Sequence, residues 1–183
     1  MSKQSQTEMA VLGALELGPA TGYAIRQQIS ETLGQFWSES YGQIYPTLSR
    51  LVRIGLATPD APGRTSGTSF RITAAGTLRL RELLREPAPV TPARNGRLLR
   101  LFFGSLLGPR ECMAIVEDAE AAAQSLLARL AHARAEVEHE TDPGAAYRLI
   151  TISAGEHAAR AQLAWAQESV TTLRRLADAE DDR

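Results

Sequence analysis

Three observations predict a mainly α protein in two parts, with short helices and one β-hairpin in the first and long helices alone in the second. Short amphipathic stretches end at Gly18-Pro19, Gly34 and Gly55, each a helix-stop signal. Directly after Gly55 the pattern changes to two strand-like runs around a polar turn. Beyond a proline-rich connector, Pro87-Ala88-Pro89-Val90-Thr91-Pro92, apolar residues recur every seven positions, the spacing of a helix packed along another helix.

In the first part, residues 9–17 form a short apolar helix, and Thr21 caps a second that turns Ile25, Ile29 and Leu33 inward and leaves Arg26, Gln27 and Gln28 outside. The third helix follows Gly42, with Ile44, Leu48, Leu51 and Val52 on one face and Pro46 in the first turn, where a missing N–H is tolerated. Its other face carries Gln43, Thr47, Ser49, Arg50 and Arg53, donors and acceptors of the kind that reach base edges and phosphates from a major groove. Strands over 56–59 and 69–73 flank the tip Asp60-Ala61-Pro62-Gly63-Arg64-Thr65-Ser66-Gly67, and Thr73 opens a fourth helix to about Glu86. Helix, helix, helix, hairpin is the order of a winged helix-turn-helix, in which the third helix enters the major groove and the hairpin tip reaches neighbouring backbone. By itself the third helix reads equally well as an amphipathic surface helix; the elements around it favour the DNA reader.

The second part is expected to be all helical. Leu98, Leu99, Leu101, Phe102, Phe103, Leu106 and Leu107 make a strongly apolar helix ended by Gly108-Pro109. A long helix from Arg110 to about Glu140 sets Val116, Ala123, Leu130 and Val137 seven apart, with Ala119, Leu126 and Ala133 between them, a seam narrow enough for close approach of a partner helix. After Asp142-Pro143-Gly144, a last helix to about Ala177 carries two stripes. One holds Leu149, Ile152, Ala159, Leu163, Ala166, Val170 and Leu173; the other holds Tyr147, Ile150, Ala154, Ala161 and Trp165. Two stripes call for two partners, the neighbouring helix and a second subunit, although a hairpin packed against its own domain is an alternative. The expected domains are a DNA-binding domain over 1–86, a linker over 87–94 and a helical dimerisation domain over 95–183.

Composition narrows the function classes. The 183 residues are 44% hydrophobic, enough for a core in one domain or two small ones. No apolar run approaches the roughly 18 residues of a membrane span, and the N-terminus lacks a signal peptide's apolar centre. One cysteine, Cys112, precludes an internal disulfide, which fits a cytoplasmic protein, and helix packing is its expected role. Residues 1–86 hold nine Lys and Arg against seven Asp and Glu, and the remainder eleven against fourteen, so the small positive excess lies in the part that would meet phosphate. His132, His139 and His157 have no second ligand at metal spacing, and no nucleophile elbow, phosphate loop or acid–base pair stands out. No catalytic residue, metal or cofactor is expected.

The run Phe36-Trp37-Ser38-Glu39-Ser40-Tyr41-Gly42-Gln43-Ile44-Tyr45-Pro46-Thr47-Leu48, preceded by Gly18-Pro19-Ala20-Thr21-Gly22-Tyr23 and followed by Phe70-Arg71-Ile72-Thr73-Ala74-Ala75-Gly76, resembles the PadR family of bacterial transcriptional regulators. The resemblance implies a dimeric repressor with a helical C-terminal dimerisation domain, released from operator DNA by a small molecule or another signal. It also implies that Gln43, Tyr45 and Ser49 contact DNA and that Arg64 and Arg71 serve the wing, with Ser66 beside them at the tip. Family members often carry a lysine at the position of Ser49 and more basic residues in the wing, and this chain departs from both.

Partners expected on these grounds are a palindromic operator in double-stranded DNA and a second copy of the chain held through the C-terminal helices, since two recognition helices must be spaced by about one helical turn or a multiple of it. Trp37, Phe102, Phe103, Tyr147 and Trp165 are the candidate walls of a pocket for a small aromatic effector, although aromatics at helical spacing also serve as core. A different reading makes the winged helix a protein-interaction module on a helical assembly scaffold. Steep salt dependence of DNA affinity separates the two.

Overall fold

The computed structural model describes residues 3–30, 37, 39–60, 67–88 and 95–181, and the chain divides into two compact units, Met1–Thr91 and Pro92–Arg183. The first unit contains α1 (Lys3–Glu16), β1 (Ala20–Thr21), α2 (Gly22–Gln28), α3 (Tyr41–Arg53), β2 (Ala57–Pro59), β3 (Ser69–Ile72) and α4 (Ala74–Arg85). The second contains α5 (Gly96–Phe102), a 3₁₀ turn at Gly104–Leu106, α6 (Pro109–Val137) and α7 (Ala145–Asp181). No helix among the described residues is long and apolar enough to cross a membrane.

In the first unit, Val11, Leu12 and Leu15 of α1, Ile25 and Ile29 at α2, Ile44, Leu48 and Leu51 of α3, and Leu80 and Leu83 of α4 close into one core, onto which Trp37, Phe70 and Ile72 pack. Thr21 caps α2 as its position before the helix suggests, accepting from the Ala24 N–H at 3.1 Å. Thr73 does the same for α4 through the Gly76 N–H at 3.1 Å. A Cβ on Gly76 would stand 2.1 Å from the Leu56 carbonyl oxygen, so only glycine lets α4 start this close to the hairpin.

The two expected strands form the hairpin, with Ala57 opposite Ile72 and Pro59 opposite Phe70. A third strand was not anticipated. β1 joins the free edge of β3 through Ala20 opposite Phe70 and Thr21 opposite Ser69, giving the antiparallel order β1-β3-β2. Two residues are too few for a period-two pattern to show. Similarly, α1 begins at Lys3 rather than Met9, because its added turn is held by polar residues, Thr7 and Glu8, that are themselves buried.

The second unit is an antiparallel hairpin of α6 and α7. Val116, Ala119, Ala166 and Val170 form one buried cluster and Leu130, Val137, Ala145 and Ile152 another, so the seven-residue seam is the line along which the helices meet. Glu156 on α7 is buried between them and accepts from Arg134 at 2.8 and 3.0 Å and from Arg160 at 3.2 Å. Hydrogen bonds from Arg134 first, and then from Arg160, hold its carboxyl below the ordinary range despite the burial. The apolar run over 98–107 is a seven-residue helix and a 3₁₀ turn rather than one helix, and no residue of α5 is buried.

Candidate nucleic-acid interface

Helix α3 is anchored at both ends and along one face. At its start the Ser40 N–H and hydroxyl both donate to Gln43 Oε1, at 3.4 and 3.1 Å, in a capping-box arrangement. Just before it, the Trp37 indole N–H donates to the buried Glu39 carboxylate at 3.2 Å, placing a negative group near the positive end of the helix. Ile44, Leu48 and Leu51 sit in the core as expected. On the opposite face Tyr45, Ser49 and Arg53 are exposed and Gln43 is half-buried, its amide nitrogen not used by the cap.

Two residues expected in that polar row are placed otherwise. Thr47 is only 8% exposed, so it packs inward, where a methyl and a hydroxyl fit beside the core. Arg50 is drawn back to α1 by Glu8, whose second oxygen accepts from Arg79 Nε of α4 at 2.9 Å. Its charge therefore ties three helices together rather than standing free on α3. Burial by itself would push the Glu8 carboxyl up, but the hydrogen bonds from Arg50 and Arg79 outweigh it and hold it below the usual carboxylate value.

A feature beyond the expected row is a column of exposed tyrosines. Tyr41 stacks on Tyr23 of α2 at 6.3 Å between ring centres and on Tyr45 at 6.2 Å, with interplanar angles of 21° and 28°. Arg26 lies over the Tyr41 ring at 4.5 Å and its Nη1 donates to the Tyr41 hydroxyl at 3.4 Å. Gly22 makes room, since a Cβ there would meet the Tyr45 ring at 2.7 Å. The four-residue spacing of Tyr41 and Tyr45 is readable in the sequence, whereas Tyr23 and Arg26 join only because α2 packs across α3.

In the hairpin, Arg71 is exposed on β3 and donates to both Asp60 oxygens at 3.3 Å, which offsets part of its charge. Arg64 and Ser66, the expected tip residues, lie outside the described residues.

The aromatic set expected for an effector is divided between the two units, Trp37 in the first and Phe102, Phe103, Tyr147 and Trp165 in the second. Trp37 packs on the core of the first unit. Trp165, half-buried, packs with Leu101 on the Val116–Ala119–Ala166–Val170 cluster. Phe102 and Phe103 are exposed and meet edge to face at 5.0 Å. Tyr147 stands on the same helix as Trp165 but eighteen residues earlier, about 27 Å away along its axis. Among the described residues no group of three His, Cys, Asp or Glu is placed to hold a metal ion.

A three-stranded wing sheet behind an outward-facing third helix defines a winged helix-turn-helix protein, here followed by a long helical hairpin. The model of the transcriptional regulator PadR-like family matches residues 11–82, and that of the virulence activator alpha C-terminal region matches residues 93–174. By these matches the chain is similar to PadR-like transcriptional regulators, over residues 11–82 for the family model. The negative transcriptional regulator PadR of Bacillus subtilis (strain 168) is 34% identical over 118 residues, 60% of this chain and 62% of that protein, so the alignment spans less than two thirds of the relative. Among solved structures, a PadR-like transcriptional regulator from Bacillus cereus superposes with a TM-score of 0.79 at 20% identity, over 92% of this chain and 98% of that one. Bacillus subtilis PadR in complex with operator DNA gives 0.76 at 23% identity, over 91% and 98%. At these identities the likeness is one of fold.

Proposed function

We propose that the protein is a dimeric repressor that binds a palindromic operator in double-stranded DNA and is released by a small aromatic effector. The observation that carries this is the two-faced α3, with Ile44, Leu48 and Leu51 locked in the core and Tyr45, Ser49 and Arg53 presented to solvent. Residues 1–86 then bind DNA, 87–94 link, and 95–183 dimerise. Gln43, Tyr45, Ser49 and Arg53 face bases and backbone, and Arg64, Ser66 and Arg71 serve the wing. The relative solved on operator DNA supports the reading by analogy of fold. A regulator of this kind works in the cytoplasm and performs no catalytic step.

Dimerisation is assigned to the second unit because it carries exposed apolar side chains among the described residues. Phe102 and Leu106 are 80% and 86% exposed, and Tyr147 and Ile150 on the second α7 stripe are also exposed. For the effector, Phe102, Phe103 and Trp165 of the second unit suit a planar organic molecule, with Tyr147 further along α7 and Trp37 in the first unit as the other candidates. Such a ligand would act by changing the separation of the two recognition helices.

Footprinting on duplex DNA upstream of the protein's own gene tests the reading. The expected result is a protected palindrome, lost on effector addition, with Tyr45→Ala and Arg53→Ala each weakening binding by about 1–3 kcal/mol. A protein that protects no palindrome there or elsewhere in the genome is not an operator-binding repressor.

A further inference from the structure

We propose that the α2–α3 tyrosine column, with Arg26 laid across it, is a phosphate-binding element that fixes the register of α3 on duplex DNA. The inference rests on the DNA-reader assignment above and adds to it a site on α2.

The chemistry of the cluster selects an anion. Three tyrosine rings and one guanidinium lie together, the guanidinium donating to the Tyr41 hydroxyl, and among the described residues no carboxylate pairs with Arg26. Its neighbours differ. Arg50 and Arg79 are held by Glu8, and Arg71 by Asp60, so each brings little unpaired charge to a surface. Arg26 is instead oriented by a ring, which among the described residues leaves its charge unpaired and most of its N–H groups open.

The geometry distinguishes backbone from bases. Tyr41 is flanked by two rings and overlaid by a guanidinium, so little of its face is left for a nucleobase to stack on. What the column offers is ring edge and hydroxyl, which suit phosphate oxygens and sugars. In a helix-turn-helix the first helix crosses the backbone while the second lies in the groove, and the column spans that step, with Tyr23 and Arg26 on α2 and Tyr41 and Tyr45 on the first turns of α3. Because the rings are already stacked and Tyr45 is seated against Gly22, the groups need little further ordering on contact.

The test uses the full-length protein, a duplex selected by it from a random library, and affinity measured over a salt series. Arg26→Gln is expected to weaken binding about tenfold on the selected duplex and on base-substituted versions alike, and to reduce the slope of log affinity against log salt by about 1. Arg26→Lys should restore the slope. Tyr23→Phe and Tyr41→Phe keep the rings and lose the hydroxyls, so they should weaken binding several-fold at unchanged slope. Arg50→Gln should leave the slope at the wild-type value while lowering the melting temperature. If the wild-type protein selects a duplex and Arg26→Gln matches it in slope and affinity, or if Arg50→Gln carries the slope change instead, the phosphate element is refuted and the DNA reader stands. If the wild-type protein selects no duplex, both fall together.

Discussion

Glu8 shows how one side chain can decide the fate of another forty-two positions away. A carboxylate on the inner side of an amphipathic helix is an unfavourable placement unless cations meet it, and here Arg50 and Arg79 do. Glu8→Gln keeps the shape and removes the charge, and is expected to cost about 1–3 kcal/mol in denaturant unfolding. Because the folded carboxyl titrates below its unfolded value of 4.5, the stability it contributes is present above that pH and is lost as pH falls through the folded value. Melting temperature against pH should therefore decline below about 4.5 in the wild-type protein, and the decline should be shallower in Glu8→Gln. Helical spacing puts Arg50 on the polar face of α3, while in the structure it pairs with Glu8. Helical spacing assigns a residue to a face, but it does not register a partner on another helix. Thr47 escaped for a related reason, being polar by type yet small enough to bury.

At the level of elements, legibility followed the length and regularity of the pattern. The α6 seam could be read residue by residue, since Val116, Ala123, Leu130 and Val137 repeat over four turns and more, and all four are buried. α3 was equally plain, its apolar and polar positions alternating at helical spacing. What failed to show were short or irregular pieces: β1, two residues long, and the break at Phe103 that splits the run over 98–107. Neither has enough repeats to stand above chance, and both are set by packing with distant residues. The seam makes its own prediction. Ala119 and Ala166 are fully buried in the seam between the two helices, so Ala119→Leu must push the helices apart at a cost of about 1–3 kcal/mol, measurable by chemical denaturation. The same substitution at the exposed Ala121 should change stability by less than about 0.5 kcal/mol.

For the whole molecule, the assignment of two heads on one assembly ties DNA affinity to self-association. Paired Phe102→Glu and Leu106→Glu place charges on side chains of the second unit that are exposed. Folding of the first unit should be unaffected, sedimentation should report a monomer, and operator affinity should fall by more than tenfold because each head then binds a single half-site. If the doubly substituted protein sediments with the wild type, the apolar surface of α5 is not where the copies meet.

The seven residues of α5 have a wider consequence. A helix so short gains too little from its own hydrogen bonds to persist in water, and this one buries no residue of its own. Beyond the packing of Leu101 on the α6–α7 cluster, its order is on loan from whatever else lies against it. When that is a second copy, the supply of ordered protein depends on how much protein there is, and dilution removes the pairing and the segment that makes it in one step. A cell would then set the threshold for repression through the regulator's own abundance, before any effector is present.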